Sequence, residues 1–279
     1  MEKKPKLSTL PVSLYSQVYS GELSMPQWSQ LGADLGLDAV DINTLFMKNM
    51  TLDEIAAVRE QMVLPVLMAT TYSDFTVLDK DELKREVEQA KENIRKCEAI
   101  GAKYIRMTAG QAYPECKVHD AIDQVYDCFE ECVKEGERCG VRLLIENHSQ
   151  PGAWKYPDFN YHPSRVLRLW EKLEPLPIGV NFDTANAFAL DCWSEILHKM
   201  LPRIETVHVN DVDCVDPLHF CVVGEGVACI ENMLRILLAR GFDGWFSIEE
   251  AGFQGVDGMK RAIANTHQLY QAALPKNKA

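Results

Sequence analysis

Short apolar runs alternate with amphipathic stretches along the chain, and the two periods, near 2 and near 3.6 residues, separate strands from helices. Residues 10–15 predict a first strand, and Ser24 followed by Pro26 opens a helix, whose first turn does not use the N–H that proline lacks. Residues 39–43 predict the second strand, 51–61 a helix with a Thr51/Glu54 capping box, and 65–71 the third strand. The longest stripe, Leu83, Val87, Ala90, Ile94 and Cys97, places a helix over 80–99 that Gly101 stops. Strand four follows at 103–108, then a helix over 119–139 with Ile122, Val125, Phe129 and Val133 on one face, and strand five at 141–146. A polar and aromatic loop, 149–161, leads to a helix at 163–173 and to strand six at 178–183; strand seven occupies 204–209. Its exit loop, 211–226, precedes a helix at 227–240, strand eight at 245–249 and a last helix at 256–272. This alternation predicts an α/β fold, a single-domain (β/α)8 TIM barrel over 1–279 with flexible ends at 1–8 and 274–279.

Strand parity turns that outline into chemistry, because barrel side chains alternate between the helices and the interior. In LLIENH, Leu143 and Ile145 point outward, leaving Leu144 and Glu146 inside. GVNFDT sends Asn181 and Asp183 inward, ETVHVND sends His208 inward, and WFSIEEAG sends Ser247 and Glu249 inward while Glu250 stays at the rim or supports the ligands from behind. Four successive strands therefore end in Glu146, Asp183, His208 and Glu249, at the end of the barrel where such folds keep their sites. Any one acid alone could be a helix cap or an arginine partner; the set of four with one parity points to a metal. Three carboxylates and one imidazole suit one divalent cation, Mn2+, Mg2+, Co2+ or Zn2+. Without a cation, each close carboxylate pair repels by about 4 kcal/mol at an effective dielectric of about 20.

Charge narrows the partners. With 29 basic against 41 acidic residues, the net charge of −12 and the lack of a basic stripe argue against nucleic acid. The short basic cluster Lys3, Lys4 and Lys6 and the tail Lys276 and Lys278 read as solvated ends. Nine cysteines, an odd number at scattered spacing without a C-x-x-C pair, predict free thiols and a reducing cytoplasm. No signal-like start and no long apolar run points to a membrane, and a homo-oligomer stays open.

At these strand ends the chain resembles the sugar phosphate isomerase and epimerase superfamily. Those xylose isomerase-like barrels include ketose 3-epimerases, hydroxypyruvate isomerases, inosose isomerases and dehydratases, and type IV apurinic endonucleases. The likeness covers nearly the whole chain and is most specific in GEGVACIENMLRILLARGFDGWFSIEEAG; LLIENH, NFDTAN and VHVND are similar to the strand-five, strand-six and strand-seven signatures. The resemblance implies Glu146, Asp183, His208 and Glu249 as metal ligands, with Glu146 and Glu249 doubling as the catalytic acid and base. It implies a metal-dependent isomerase or epimerase of a small sugar or keto-sugar, moving a proton through an enediolate. One alternative is a dehydratase or lyase on a keto-sugar or keto-inositol, in which the enediolate expels a β-hydroxyl. A second is a non-catalytic sugar-binding barrel.

The chain departs from the family at two places. Many of its epimerases carry a histidine three residues after the strand-six aspartate, where this chain has Asn186. Strands two to four end in Asp41, Thr70 and Thr108, not in the extra histidines of the endonucleases. Other pocket candidates each have two readings. Arg106 grips substrate or pairs with a barrel acid; His148, Asp211 and His219 bind substrate or are solvated loop residues. Trp154, Tyr156, Phe159, Tyr161, Tyr15 and Tyr72 wall a sugar or pin their loops.

Overall fold

Alternating strands and helices produce one parallel sheet of eight strands in the computed structural model, which describes residues 4–150 and 152–275. In chain order the strands are β1 (Lys6–Leu10), β2 (Val40–Asn43), β3 (Val66–Thr70), β4 (Tyr104–Met107), β5 (Arg142–Glu146), β6 (Gly179–Asp183) and β7 (Ile204–Val209). A hairpin, β8 (Asp211–Val215) and β9 (Leu218–Cys221), intervenes before β10 (Trp245–Glu249) closes the series. The spatial order is β1-β10-β7-β6-β5-β4-β3-β2. Its two ends meet where the Leu7 carbonyl accepts the N–H groups of Asp38 and Ala39 at 3.0 and 3.2 Å, so the barrel is nearly closed.

Two hydrophobic cores follow from strand parity. Outward residues such as Leu143, Ile145, Val180, Phe182, Val207 and Phe246 are buried in one continuous layer with the surrounding helices. A smaller group, Ala39, Leu67, Met68, Tyr104 and Leu144 with Trp245 against it, fills the interior toward the N-terminal ends of the strands. Apolar packing is thereby confined to the floor, and the inward residues nearer the other end are polar.

Local signals fixed several helices. Ser24 and Gln27 cap the helix Met25–Asp34 reciprocally, and Thr51 and Glu54 do the same for Leu52–Arg59. The helices Lys80–Ile100 and Val118–Cys139 end at Gly101 and Gly140, both left-handed. All nine cysteines are free thiols, and no described helix is long and apolar enough to cross a membrane.

The structure corrects the expected start. The first strand is Lys6–Leu10, where a frayed arm was expected, and residues 10–15 turn through the short 3-10 helix Val12–Leu14 into the helix Tyr15–Ser20. Pro11 has no N–H for a ladder, and Leu14 and Val18, a helical turn apart, are both buried. Residues 1–3 and 276–279, including Lys3, Lys276 and Lys278, lie outside the described residues. After β6 the chain forms two helices absent from the sequence reading, Thr184–Ala189 and Trp193–Met200. The expected exit loop after β7 folds into the β8–β9 hairpin, and the helix expected from residue 227 begins at Ile230.

Candidate active site

Register carries the four strand-end candidates to one place. Asp183 pairs across the ladder with His208, and Glu146 with Asn181, so neighbouring strands end level with one another. Glu146, Asp183 and His208 are buried, and one ligand atom from each lies within 4.8 Å of the others, a group that could hold a metal ion. Glu249 sits beside this trio: its Oε1 is 3.3 Å from His208 Nδ1, and its side chain is 14% exposed.

Each carboxylate is braced through one oxygen and open at the other. Glu146 Oε2 lies 2.7 Å from Arg106 Nε and accepts from Asn181 Nδ2 at 3.0 Å, while Glu146 Oε1 has no partner. Asp183 Oδ1 accepts the Asn186 N–H at 2.6 Å, and Asp183 Oδ2 has no partner. Glu249 Oε2 accepts from Asn210 Nδ2 at 3.2 Å and leaves Oε1 toward His208. Neither His208 nitrogen makes an aligned hydrogen bond; its 3.3 Å approaches to Glu146 and Glu249 are ion-pair contacts only. Buried polar atoms are almost always satisfied, and an orphan costs about 1–3 kcal/mol. The open atoms of Glu146, Asp183 and His208, two carboxylate oxygens and an imidazole nitrogen, form a donor set that fits a divalent cation, while Glu249 lies against His208 outside that group of three.

The electrostatics have the same origin. Burial works against a charged His208, but the Glu249 and Glu146 carboxylates outweigh it and raise the imidazole to about 9. Burial also opposes charge on Glu146, yet Arg106 and then His208 hold it below the usual carboxylate range. Asp183 has no cation of its own: burial, then Glu146 and Glu249, push it well above its usual value. Glu249 is raised by burial, with His208 opposing. A proton on His208 thus supplies the positive charge that a metal would otherwise bring.

Arg106 is the buried partner of a barrel acid, one of the two roles its position allowed. Its guanidinium also lies over the Tyr72 ring at 5.2 Å and donates to the Thr71 carbonyl at 3.3 Å. His148 packs its ring 5.9 Å from Tyr72, and Trp154 meets Tyr72 edge-on at 6.5 Å. Burial, with help from Arg106 and against the pull of Glu146, lowers His148 to about 3. Asn186 is buried on the helix after β6, with Oδ1 unpartnered.

Two expected substrate residues are otherwise engaged. Asp211 accepts the backbone N–H groups of Val212, Gly224, Gly226 and Ala228, so its carboxylate is a staple for the loop after β7 and has nothing left for a substrate. Gly226 is required there, because a Cβ would collide with Asp211 Oδ1 and the Val212 carbonyl. His219 is 69% exposed on β9 and pairs with Asp213 at 2.7 Å, a solvated hairpin contact. Glu250 is buried, and its carboxylate takes Ser13 Oγ and the Gln254 N–H and ties the β10 exit to the β1 exit.

The sequence reading missed the braces. Asn147 clasps the backbone N–H and carbonyl of Asp183 at 2.9 and 2.8 Å, and Asn210 holds Glu249. Each follows directly on a strand-end residue, in ENH and VND, which was the available signal. Asp158 carried none: it reaches the site from loop 149–161, buried, with Oδ2 3.8 Å from His148 Nδ1.

A cavity of about 740 Å3 lies elsewhere, in the groove between Lys80–Ile100 and Val118–Cys139 on the flank of the barrel, and is lined by none of these residues.

A family model described as xylose isomerase-like TIM barrel matches residues 30–272. An inosose dehydratase from Bacillus anthracis is 25% identical over 133 residues, 42% of each chain, so the match spans less than half of that curated relative. The solved structure of an L-ribulose 3-epimerase superposes with TM-score 0.77 at 14% identity, covering 96% of this chain and 95% of that one. The IOLI protein, solved with a bound zinc atom, gives 0.76 at 16% identity, covering 97% and 100%. At these identities the structural likenesses show the fold alone.

Proposed function

Since the chain belongs to the xylose isomerase-like TIM barrel family, we propose that it is a divalent-metal-dependent isomerase or epimerase of a small sugar or keto-sugar. The observation that carries this reading is the trio of Glu146, Asp183 and His208, each with an unpartnered ligand atom within 4.8 Å of the others, with Glu249 Oε1 beside His208. Mn2+, Mg2+, Co2+ or Zn2+ suits that set, and such an ion polarises a ketose carbonyl and stabilises the negative charge that grows on its oxygen. Glu146 and Asp183 are held by Arg106, Asn181, Asn186 and Asn147, so their free oxygens are fixed before any ligand arrives. Glu249 is the least buried member of the group, which leaves its carboxylate the one a substrate carbon can approach. It takes the proton from the carbon next to the carbonyl, a step that general-base catalysis speeds by about 10² to 10⁴. Return of that proton to the neighbouring carbon gives an isomer; an epimer needs a second proton, delivered to the original carbon from the opposite side by a Glu146 that enters the step protonated and leaves it ionised, while Glu249 keeps the first.

A second reading is favoured by the inosose dehydratase similarity: after the same proton abstraction a β-hydroxyl departs. Incubating the metal-loaded protein with keto-sugars and keto-inositols in deuterated water tests both. Carbon-bound deuterium without a new chromophore supports isomerisation or epimerisation, and an absorbing enone supports elimination. Tight metal binding with neither leaves a non-catalytic sugar-binding barrel.

A further inference from the structure

Three neighbouring strands contribute a row of side chains beneath the candidate site, and its far end, Thr206, makes no hydrogen bond to any of the four strand-end groups. Glu146 pairs across the ladder with Asn181, and Asn181 with Thr206; all three are fully buried. The Thr206 hydroxyl donates to Asn181 Oδ1 at 2.6 Å, and Asn181 Nδ2 donates to Glu146 Oε2 at 3.0 Å. The only other acceptor for this hydroxyl among the described residues is Met68 Sδ at 4.0 Å, a weak one from the apolar floor. The row therefore has one direction, from hydroxyl to amide to carboxylate. A local irregularity in β7 creates it. Val180 pairs with Ile204, yet Asn181 pairs with Thr206, so the ladder skips Glu205. The same shift levels Asp183 with His208; without it Asn181 would face Glu205 and Asp183 would face Val207. Bulges of this kind re-aim side chains beside active sites, and here one extra residue seats both a ligand pair and the hydroxyl below it.

Asparagines brace three of the strand-end acids, and each amide is turned by what its oxygen accepts. Asn147 Oδ1 takes the Asp183 N–H and Asn210 Oδ1 takes the Asp211 N–H, backbone groups that do not depend on the side chain at those positions. Of the three, only Asn181 is oriented by a side chain. With its oxygen unheld, the Asn181 amide can turn over and bring Oδ1 instead of N–H against Glu146 Oε2, where two acceptors repel. Glu146 Oε2 then keeps only Arg106 and the approach of His208, and the direction of its open Oε1 is no longer fixed from both sides.

We propose that Thr206 is a positioning residue for the metal site: acting through Asn181, it fixes which Glu146 oxygen stays open and so sets how tightly the cation is held. The inference rests on the metal reading of Glu146, Asp183 and His208, and its test reads ion affinity and not turnover.

Calorimetric titration of Mn2+ and urea unfolding of the metal-free chain, run on the same variants, provide the test. Thr206→Val keeps the β-branched shape and loses the hydroxyl, whereas Thr206→Ser keeps the hydroxyl and loses the methyl. The relay predicts Mn2+ affinity about 10- to 100-fold weaker in Thr206→Val, the range typical of outer partners, and within about twofold of the wild type in Thr206→Ser. A residue that merely packs gives the reverse order, with Val tolerated and Ser impaired, or a loss of urea stability with affinity unmoved; either result overturns the proposal. In an Asn181→Ala background Thr206→Val adds less than about twofold, and full additivity also overturns it. Should Thr206→Val fail to fold, Thr206→Ala against Thr206→Ser isolates the same hydroxyl: Ala binds about 10- to 100-fold more weakly, and equal affinities overturn the relay. Absence of saturable binding to the wild type removes the metal reading and the proposal together, whereas wild-type binding that the loss of the hydroxyl leaves unchanged removes the proposal alone.

Discussion

Asp41 and Asp183 are both fully buried inside the same barrel, and their surroundings differ in one respect. Asp41 Oδ1 accepts the Met68 N–H at 3.1 Å, and its Oδ2 accepts Ser8 Oγ at 3.0 Å and Ser247 Oγ, so neither oxygen is idle. Asp183 has one oxygen held by a backbone N–H and one with no partner. The first arrangement joins β1, β2, β3 and β10 above the apolar floor. The second, repeated at Glu146 and at both nitrogens of His208, leaves the mouth incomplete. Burial alone therefore does not mark a site; open ligand atoms of several ionisable side chains gathered within 4.8 Å do.

That contrast is tested most severely at Glu249. Replacing it by Gln keeps the Asn210 contact possible but removes the base, and proton exchange from a keto-sugar falls about 10² to 10⁴-fold while the chain stays folded. An exchange rate within a few fold of the wild type moves the base elsewhere.

Arg106→Met comes next. It leaves the Glu146 carboxylate buried without its guanidinium, and losing one partner of a buried pair costs about 3–5 kcal/mol, measurable by urea unfolding. A loss no larger than that of an exposed pair, such as Lys84→Ala opposite Asp81, would mean that the metal-free mouth does not depend on Arg106.

The smallest effect sharpens the satisfied side. Burial raises Asp41 from 3.8 to about 6, with the Ser247 bond, the His208 charge and the Ser8 and Met68 bonds opposing it. Its proton is held more tightly in the folded state, so the stabilising contribution is complete below pH 3.8 and is lost as pH rises through about 6. Between pH 4 and 7.5 the wild type should lose up to about 3 kcal/mol relative to Asp41→Asn, which cannot titrate. Parallel unfolding curves at the two pH values would contradict the raised proton affinity.

How far the sequence revealed this contrast depended on the distance over which each feature is set. Strands β5, β6, β7 and β10 end where alternation placed them, because a one-residue slip would turn their apolar side chains away from the helices. Glu146, Asp183, His208 and Glu249 were legible for the same reason. The β1 register was not: Leu10, Leu14 and Val18 fit a turn and helix as well as a strand, and Pro11 decides between them. Asp211 and Asp183 look alike as aspartates at strand boundaries. Only the folded loop, which returns Gly224, Gly226 and Ala228 to Asp211, shows that one is a staple and the other open. Asp158 depends on loop packing that no local period records.

The central claim is that the mouth groups are left unpaired in order to hold one divalent cation, and titration of Mn2+ into wild type and Asp183→Asn by calorimetry tests it most directly. The account predicts one ion per chain, with affinity lowered by at least about 100-fold in the variant, beyond the 10- to 100-fold typical of outer partners. An affinity unchanged by Asp183→Asn, or no saturable binding to the wild type, would contradict it.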